Sequence, residues 1–291
     1  MNVEVALEAH ARVGEGPVWD ERTQTLVWVD ILACVVHRFD PSSGVDQIVD
    51  VGQPVGTAGL RADGGLVLGL RDGFATLSDA GELTLIADVE KDNPGNRMND
   101  GKPDPAGRFW AGTMAFDPEP GQGGGALYRL DPDFTVTRML SDVTLSNGLD
   151  WSPDLRHMYY IDSMTQRIDL LDFDASDSSL SSRRTFIDIP REAGLPDGMT
   201  VDAEGAVWVA LHGAGVVHRY LPNGQLDTVI RVPGAMQVTC PAFGGPDYRD
   251  LYITSMVHGL TSDALAAQPL AGALFRCRPG VQGRPPFRFA A

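Results

Sequence analysis

Short apolar runs bounded by Gly, Pro, Asp and Asn recur along the whole chain. They alternate at the two-residue period of a strand rather than the 3.6-residue period of a helix. Six of them follow a turn: TLVWVD at 25–30, GLVLGL at 65–70, RFWAGT at 108–113, HMYYID at 157–162, AVWVA at 206–210 and DLYIT at 250–254. The clusters before them read DERTQ, ADGG, DPAG, SPDL, DAEG and GGPDYR, all turn chemistry. Most of the runs lead into a second alternating stretch such as VVHRFD, ALYRLD, VVHRYL or ALFRC.

Aligned on the turn, the repeats share a register. Five residues before Asp20, Asp63, Asp104, Ser152, Asp202 and Gly245 stand Glu15, Ala58, Asn99, Asn147, Asp197 and Cys240, spaced by 43, 41, 48, 50 and 43 residues. A repeat of about 40–50 residues that holds several short strands marks a β-propeller with four strands per blade. The prediction is therefore all-β: residues 1–291 as one six-bladed propeller of four-stranded antiparallel blades around a central tunnel. Residues 3–7 and 286–289 both qualify as the strand that closes the ring.

The innermost strand of each blade lines the tunnel, so one register position becomes a ring at one end of it. That ring reads Glu, Ala, Asn, Asn, Asp, Cys. Converging polar side chains need water, a ligand or a metal, because neighbouring carboxylates otherwise repel. Glu15, Asn147 and Asp197 form a hard-oxygen set suited to a divalent cation with positions left open for water and substrate. Each Asp-Gly or Asn-Gly pair by itself (100–101, 147–148, 197–198) is an ordinary turn former; the shared register is what singles these residues out.

Composition narrows the function further. The 291 residues carry a formal net charge of −16, which opposes binding to nucleic acid or to an anionic membrane surface. Lys91 and Lys102 are the only lysines, leaving little room for Schiff-base chemistry. Cys34, Cys240 and Cys277 are far apart and odd in number, so no disulfide framework or zinc motif is read. Cys240, although in the ring, reads as a buried inert thiol. The histidines show no ligand spacing, with His212 the one expected near a channel mouth. The five tryptophans recur at blade-equivalent places and read as inter-blade packing. No targeting signal or membrane-length apolar run is read, so a cytoplasmic location is expected, and nothing encodes more than a monomer or weak homodimer.

Long ordered segments carry a resemblance: GEGPVWDERTQTLVWVD at 14–30, RMNDGKPDPAGRFWAGTM at 97–114, SNGLDWSPDLRHMYYIDS at 146–163, PDGMTVDAEGAVWVA at 196–210 and FGGPDYRDLYIT at 243–254. In these the chain resembles the senescence marker protein (regucalcin), gluconolactonase and luciferin-regenerating enzyme family of six-bladed, calcium-dependent lactonases. The resemblance implies that Glu15, Asn147 and Asp197 hold one divalent cation, Ca²⁺ or Zn²⁺ foremost, with Mg²⁺, Mn²⁺ or Fe²⁺ also admitted by oxygen ligands. It implies substrate contacts from Arg97, Asn99 and Asp117, and makes Asp197 both ligand and candidate general base. Asp100 reads as a turn or supporting residue.

The activity implied is hydrolysis of a sugar lactone, such as gluconolactone, xylonolactone or arabinonolactone, to the aldonic acid. Two other readings share the same metal: a calcium-binding regulatory protein, and a phosphotriesterase-type hydrolase. Arg97 and Asn99 favour a hydroxylated substrate over a neutral apolar ester. There is no GxSxG elbow, HExxH pair or GxxxxGK[ST] loop to support a competing chemistry.

Overall fold

The computed structural model describes residues 2–118 and 123–291. It consists of six four-stranded antiparallel sheets arranged as a six-bladed β-propeller. Blade 1 runs Gly14–Asp20, Thr25–Asp30, Val35–Asp40 and Val45–Asp50. The innermost strands of blades 2 to 6 are Val55–Leu60, Asn96–Pro103, Ser146–Trp151, Leu195–Val201 and Val238–Gly244. Blade 6 is completed by Asp250–Ser255, Leu274–Cys277 and, from the other end of the chain, Val3–Leu7, which pairs antiparallel with Leu274–Cys277. Of the two candidate closing segments, 3–7 is therefore the strand. Among the described residues no helix is long and apolar enough to cross a membrane.

The turn after each innermost strand explains the register seen in the sequence. Asp104 Oδ1 accepts the backbone amides of Ala106 and Arg108 at 2.8 and 2.9 Å, while its Oδ2 accepts the Trp110 indole N–H at 3.0 Å. Asp202 repeats the arrangement with Glu204, Ala206 and Trp208, each at 2.9 Å. One carboxylate thus satisfies the tight turn and pins the tryptophan of the next strand.

Those tryptophans do cross between blades, as expected of Trp110 with Trp151 (centroids 6.4 Å apart), Trp19 with Tyr252 (6.1 Å) and Trp208 with Phe243 (5.7 Å). Trp28 shares a core cluster with Tyr252 and Leu274 of blade 6 and is held from within its own blade as well. It stacks on His37 of its own blade at 3.8 Å, because a neighbouring strand of the sheet places the imidazole directly beside it.

The segment 279–291 is not a strand of a blade but runs across one end of the propeller. Gly283 N–H donates to the Tyr248 carbonyl at 2.7 Å, and Phe289 exchanges backbone hydrogen bonds with Leu60 and Ala62 at 2.8 and 2.7 Å. Arg284 Nη2 donates to the Trp151 carbonyl at 2.6 Å, and Arg288 Nη2 to Asp20 at 2.8 Å. The segment covers the end toward which all six innermost strands point their C-termini. The opposite end remains open.

Candidate metal centre

Every innermost strand carries one extra residue relative to its partner, and in four of the six the irregularity contains the ring position. Met98 pairs with Thr113 and Gly101 with Ala111, so Asn99 and Asp100 bulge out of the ladder. Asn147 and Gly148 lie between the paired Ser146 and Leu149, Asp197 and Gly198 between Pro196 and Met199, and Thr239 and Cys240 between Val238 and Pro241. In blade 1 the shift begins at Glu15 itself. A bulge re-aims a side chain out of the pleat. In four blades it turns the ring residue toward the tunnel axis, and in blade 1 it follows directly on Glu15.

The bulges are made possible by close backbone approach. A Cβ on Gly148 would stand 2.7 Å from the Asp197 carbonyl oxygen, and the space beside Gly198 is filled by Cys240. Gly148 and Gly198 thus let adjacent blades meet at the axis, whereas Gly16 after Glu15 is required by its positive φ of 52°.

Glu15, Arg97, Asn99, Asn147 and Asp197 all line one cavity of about 440 Å³ at the open end, together with Asp117. All except Asp117 are buried side chains. Asn99 ties the group together: its Nδ2 donates to Asn147 Oδ1 at 3.0 Å and to the Ser146 carbonyl at 2.8 Å, and its Oδ1 accepts from Arg97 Nη1 at 2.7 Å. Asn147 Nδ2 donates to Ser163 Oγ at 2.9 Å, and the Asn147 amide also hydrogen-bonds the Asp197 carboxyl, tying the two ring residues together. Asp117 sits on an exposed bend at the rim. Part of its loop, 119–122, lies outside the described residues.

The electrostatics fit a cation. Burial, then the charges of Asp197 and Asp100, push the Glu15 carboxyl well above its usual range. Burial and then the Asp100 charge do the same to Asp197. Among the described residues Glu15 makes no ion pair, and Asp197 has only His212 Nδ1 at 3.9 Å. Burial pulls the imidazole of His212 below its ordinary value, so it supplies little positive charge at neutral pH. Two buried carboxyls that stay raised despite the nearby Arg97 guanidinium are the complement of a divalent ion. The donor set is two carboxylates and one amide oxygen; among the described residues no group of three His, Cys, Asp or Glu comes together.

Arg97 is the one cation beside this set. Burial brings its guanidinium down to about 10 against the opposing pull of Glu15 and Asp197, so it stays charged at neutral pH. The Phe116 ring lies 5.9 Å from it.

Three further placements refine the sequence reading. Cys240 is buried and burial pushes its thiol well above the usual range, as an inert thiol requires. Asp100 is not in an exposed turn: its Oδ1 accepts from Gly101 N–H at 2.7 Å, and the carboxylate faces a separate internal cavity with Lys102, Asp150 and Arg284. His258 and Thr239 line the open cavity and escaped the sequence analysis. Thr239 is one residue from the ring and betrayed only by the bulge, and His258 lies outside the repeat register altogether.

Comparison with known proteins agrees with this architecture. The family model described as SMP-30/gluconolactonase/LRE-like region matches residues 13–257. Regucalcin of Xenopus laevis is 40% identical over 296 residues, covering 100% of this chain and 99% of that protein, and regucalcin of Gallus gallus is 41% identical, covering 96% and 95%. A solved luciferin-regenerating enzyme superposes with a TM-score of 0.92 at 35% identity, covering 100% of this chain and 99% of that one. A calcium-binding regucalcin from Agrobacterium tumefaciens gives 0.93 at 33% identity, covering 99% and 97%. A gluconolactonase from Xanthomonas campestris gives 0.75 at 25% identity, covering 95% and 89%. The chain belongs to the SMP-30/gluconolactonase/LRE-like family.

Proposed function

We propose that this protein is a divalent-metal-dependent lactonase that opens sugar lactones to aldonic acids. One observation carries the reading: Glu15, Asn147, Asp197, Arg97 and Asn99, spread over 183 positions of the chain, line a single cavity at the open mouth of the tunnel. When bound by Glu15, Asn147 and Asp197, a divalent cation supplies Lewis-acid polarisation of the lactone carbonyl and eases deprotonation of water.

The chain's own groups do the rest. Asp197, ionised once the cation offsets Glu15, is the group placed to take the proton from the attacking water. The water oxygen bonds to the lactone carbonyl carbon. The bond from that carbon to the ring oxygen then breaks, and the proton held by Asp197 is available to the departing alkoxide. Arg97 and Asn99 hold the substrate hydroxyls and orient the carbonyl, with Asn99 itself fixed by Arg97 and Ser146. Asp117 contributes from the rim.

A calcium-binding protein without turnover is the second reading, since the Agrobacterium relative is described as calcium-binding. Arg97 disfavours it, because a buried guanidinium beside a cation site weakens the ion's hold unless a substrate makes use of it. Chelator-stripped protein should release no acid from gluconolactone, xylonolactone or arabinonolactone, and should regain turnover when one metal is added back. An Asp197→Ala variant should lose about 10²-fold or more in kcat. Metal binding with no hydrolysis of any lactone would leave the calcium-binding reading; full activity in Asp197→Ala would remove the proposed base.

A further inference from the structure

The open cavity changes character within one step along the strands. Residues two apart on a strand share a face, so the positions two before the ring form the next tier toward the mouth. In four blades that tier lines the cavity as Val13, Arg97, Leu145 and Leu195. Met114, Phe116 and Met256 continue the wall. Above a floor of carboxylates and amides stands a collar, a wall whose larger share is aliphatic or aromatic, interrupted by Arg97, His212 and His258 and by Asp117 at the rim.

The collar is held in place by the backbone. The Asp30 carboxylate accepts the amides of Arg12 and Val13 at 2.7 and 3.0 Å, and the Asp162 carboxylate accepts those of Thr144 and Leu145 at 2.9 and 3.0 Å. The same device, in two blades, fixes an aliphatic side chain above the ring. Phe116 is 39% exposed at this mouth, a large apolar ring partly open to water beside Arg97.

A fully hydroxylated substrate matches the floor but not this wall. A hydroxyl pressed against Leu145 or Leu195 gives up water and finds a partner only where it can reach the His212 imidazole, which is paired with Leu195 across the strands. We infer that the preferred substrate is amphiphilic: an aldonolactone whose carbonyl and ring hydroxyls meet the floor while its terminal carbon carries a methyl or short alkyl group, in place of a hydroxymethyl, against the Leu145–Leu195 side of the collar. The inference rests on the lactonase reading above and specifies its substrate class.

The test is a matched pair: a hexono-1,4-lactone and its 6-deoxy counterpart of identical stereochemistry, assayed with the metal-loaded protein. The 6-deoxy lactone should show kcat/KM about tenfold higher or more, the scale on which an apolar pocket discriminates by one group. Leu195→Asn, with Leu145→Asn as the second variant of near-conserved volume, should bring the ratio toward unity by lowering kcat/KM for the 6-deoxy lactone. Equal or higher kcat/KM for the hydroxylated lactone in the parent protein overturns the inference and leaves the lactonase reading standing, as does a preference that survives both substitutions. Absence of hydrolysis of either lactone removes both.

Discussion

At the scale of single residues, the centre is a place where charge is kept at a cost. Glu15 and Asp197 have raised carboxyl pKa values from burial first, then from the charges of Asp197 and Asp100 on Glu15 and of Asp100 on Asp197. A raised folded-state value means that the stability these groups contribute is complete below their unfolded pKa and is lost as pH rises through the folded one. At neutral pH the metal-free protein therefore works against two buried carboxylates. Glu15→Gln should raise the melting temperature of chelator-stripped protein, the relief being on the order of 1–3 kcal/mol, and should abolish the further rise that metal gives the parent. For the same reason cation affinity should fall as pH is lowered through the raised values, about tenfold per pH unit for each proton the metal displaces. Isothermal titration with Ca²⁺ at several pH values reads this slope; a flat profile would mean that the two carboxyls are not the ligands.

At the scale of elements, the bulge and the aspartate turn divide the work. The turn, built on Asp104 and Asp202, fixes where each innermost strand ends. The bulge five residues earlier decides which side chain looks down the axis. The turn is written in residue types, so it stands out in the chain. The bulge is an extra residue in a pairing register, and no residue type announces it beyond the glycine after Asn147 and Asp197. Gly148→Ala tests the element. Its Cβ would meet the Asp197 carbonyl oxygen at 2.7 Å and the Met199 nitrogen at 2.9 Å. A cost of about 1–3 kcal/mol is expected, with metal affinity falling in the folded variant because Asn147 and Asp197 are moved apart. Thermal denaturation and calorimetric metal titration on the same sample separate the two effects.

At the scale of the whole molecule, the two chain ends close the propeller in different ways. Val3–Leu7 completes blade 6 through the ladder with Leu274–Cys277, so the ring is joined by backbone hydrogen bonds between opposite ends of the chain. The segment 279–291 seals the far mouth, where Arg284 and Lys102 meet Asp150 in an internal cavity of about 70 Å³. Against the burial that would raise it, these two cations hold the Asp150 carboxyl below its usual range. With that end sealed, a substrate reaches the centre from the open mouth alone. Arg284→Ala should lower the melting temperature by several degrees, as the loss of one partner of a buried pair does. It should leave kcat/KM for a lactone within about twofold, because Arg284 lies beneath the ring and not in the open cavity. A large loss of activity at unchanged stability would mean that the sealed cavity takes part in the chemistry.

The strand runs, the aspartate turns and the six-fold spacing are local, each fixed by a few neighbouring residues, and so the chain alone determined the propeller and the ring of Glu15, Asn99, Asn147 and Asp197. Family resemblance in the segments around Arg97 and Asp117 supplied the rest of the candidate site. What only the tertiary structure decided depends on contacts between distant segments. It chose 3–7 over 286–289 as the closing strand, sent the last residues across the far mouth, turned Asp100 into an internal cavity, and brought His258 and the largely apolar wall over the ring of Glu15, Asn147 and Asp197. The physical reason is that side-chain direction in a bulged strand, and which blade faces which, are set by packing across the axis, where the partners lie some forty residues or more away in the chain.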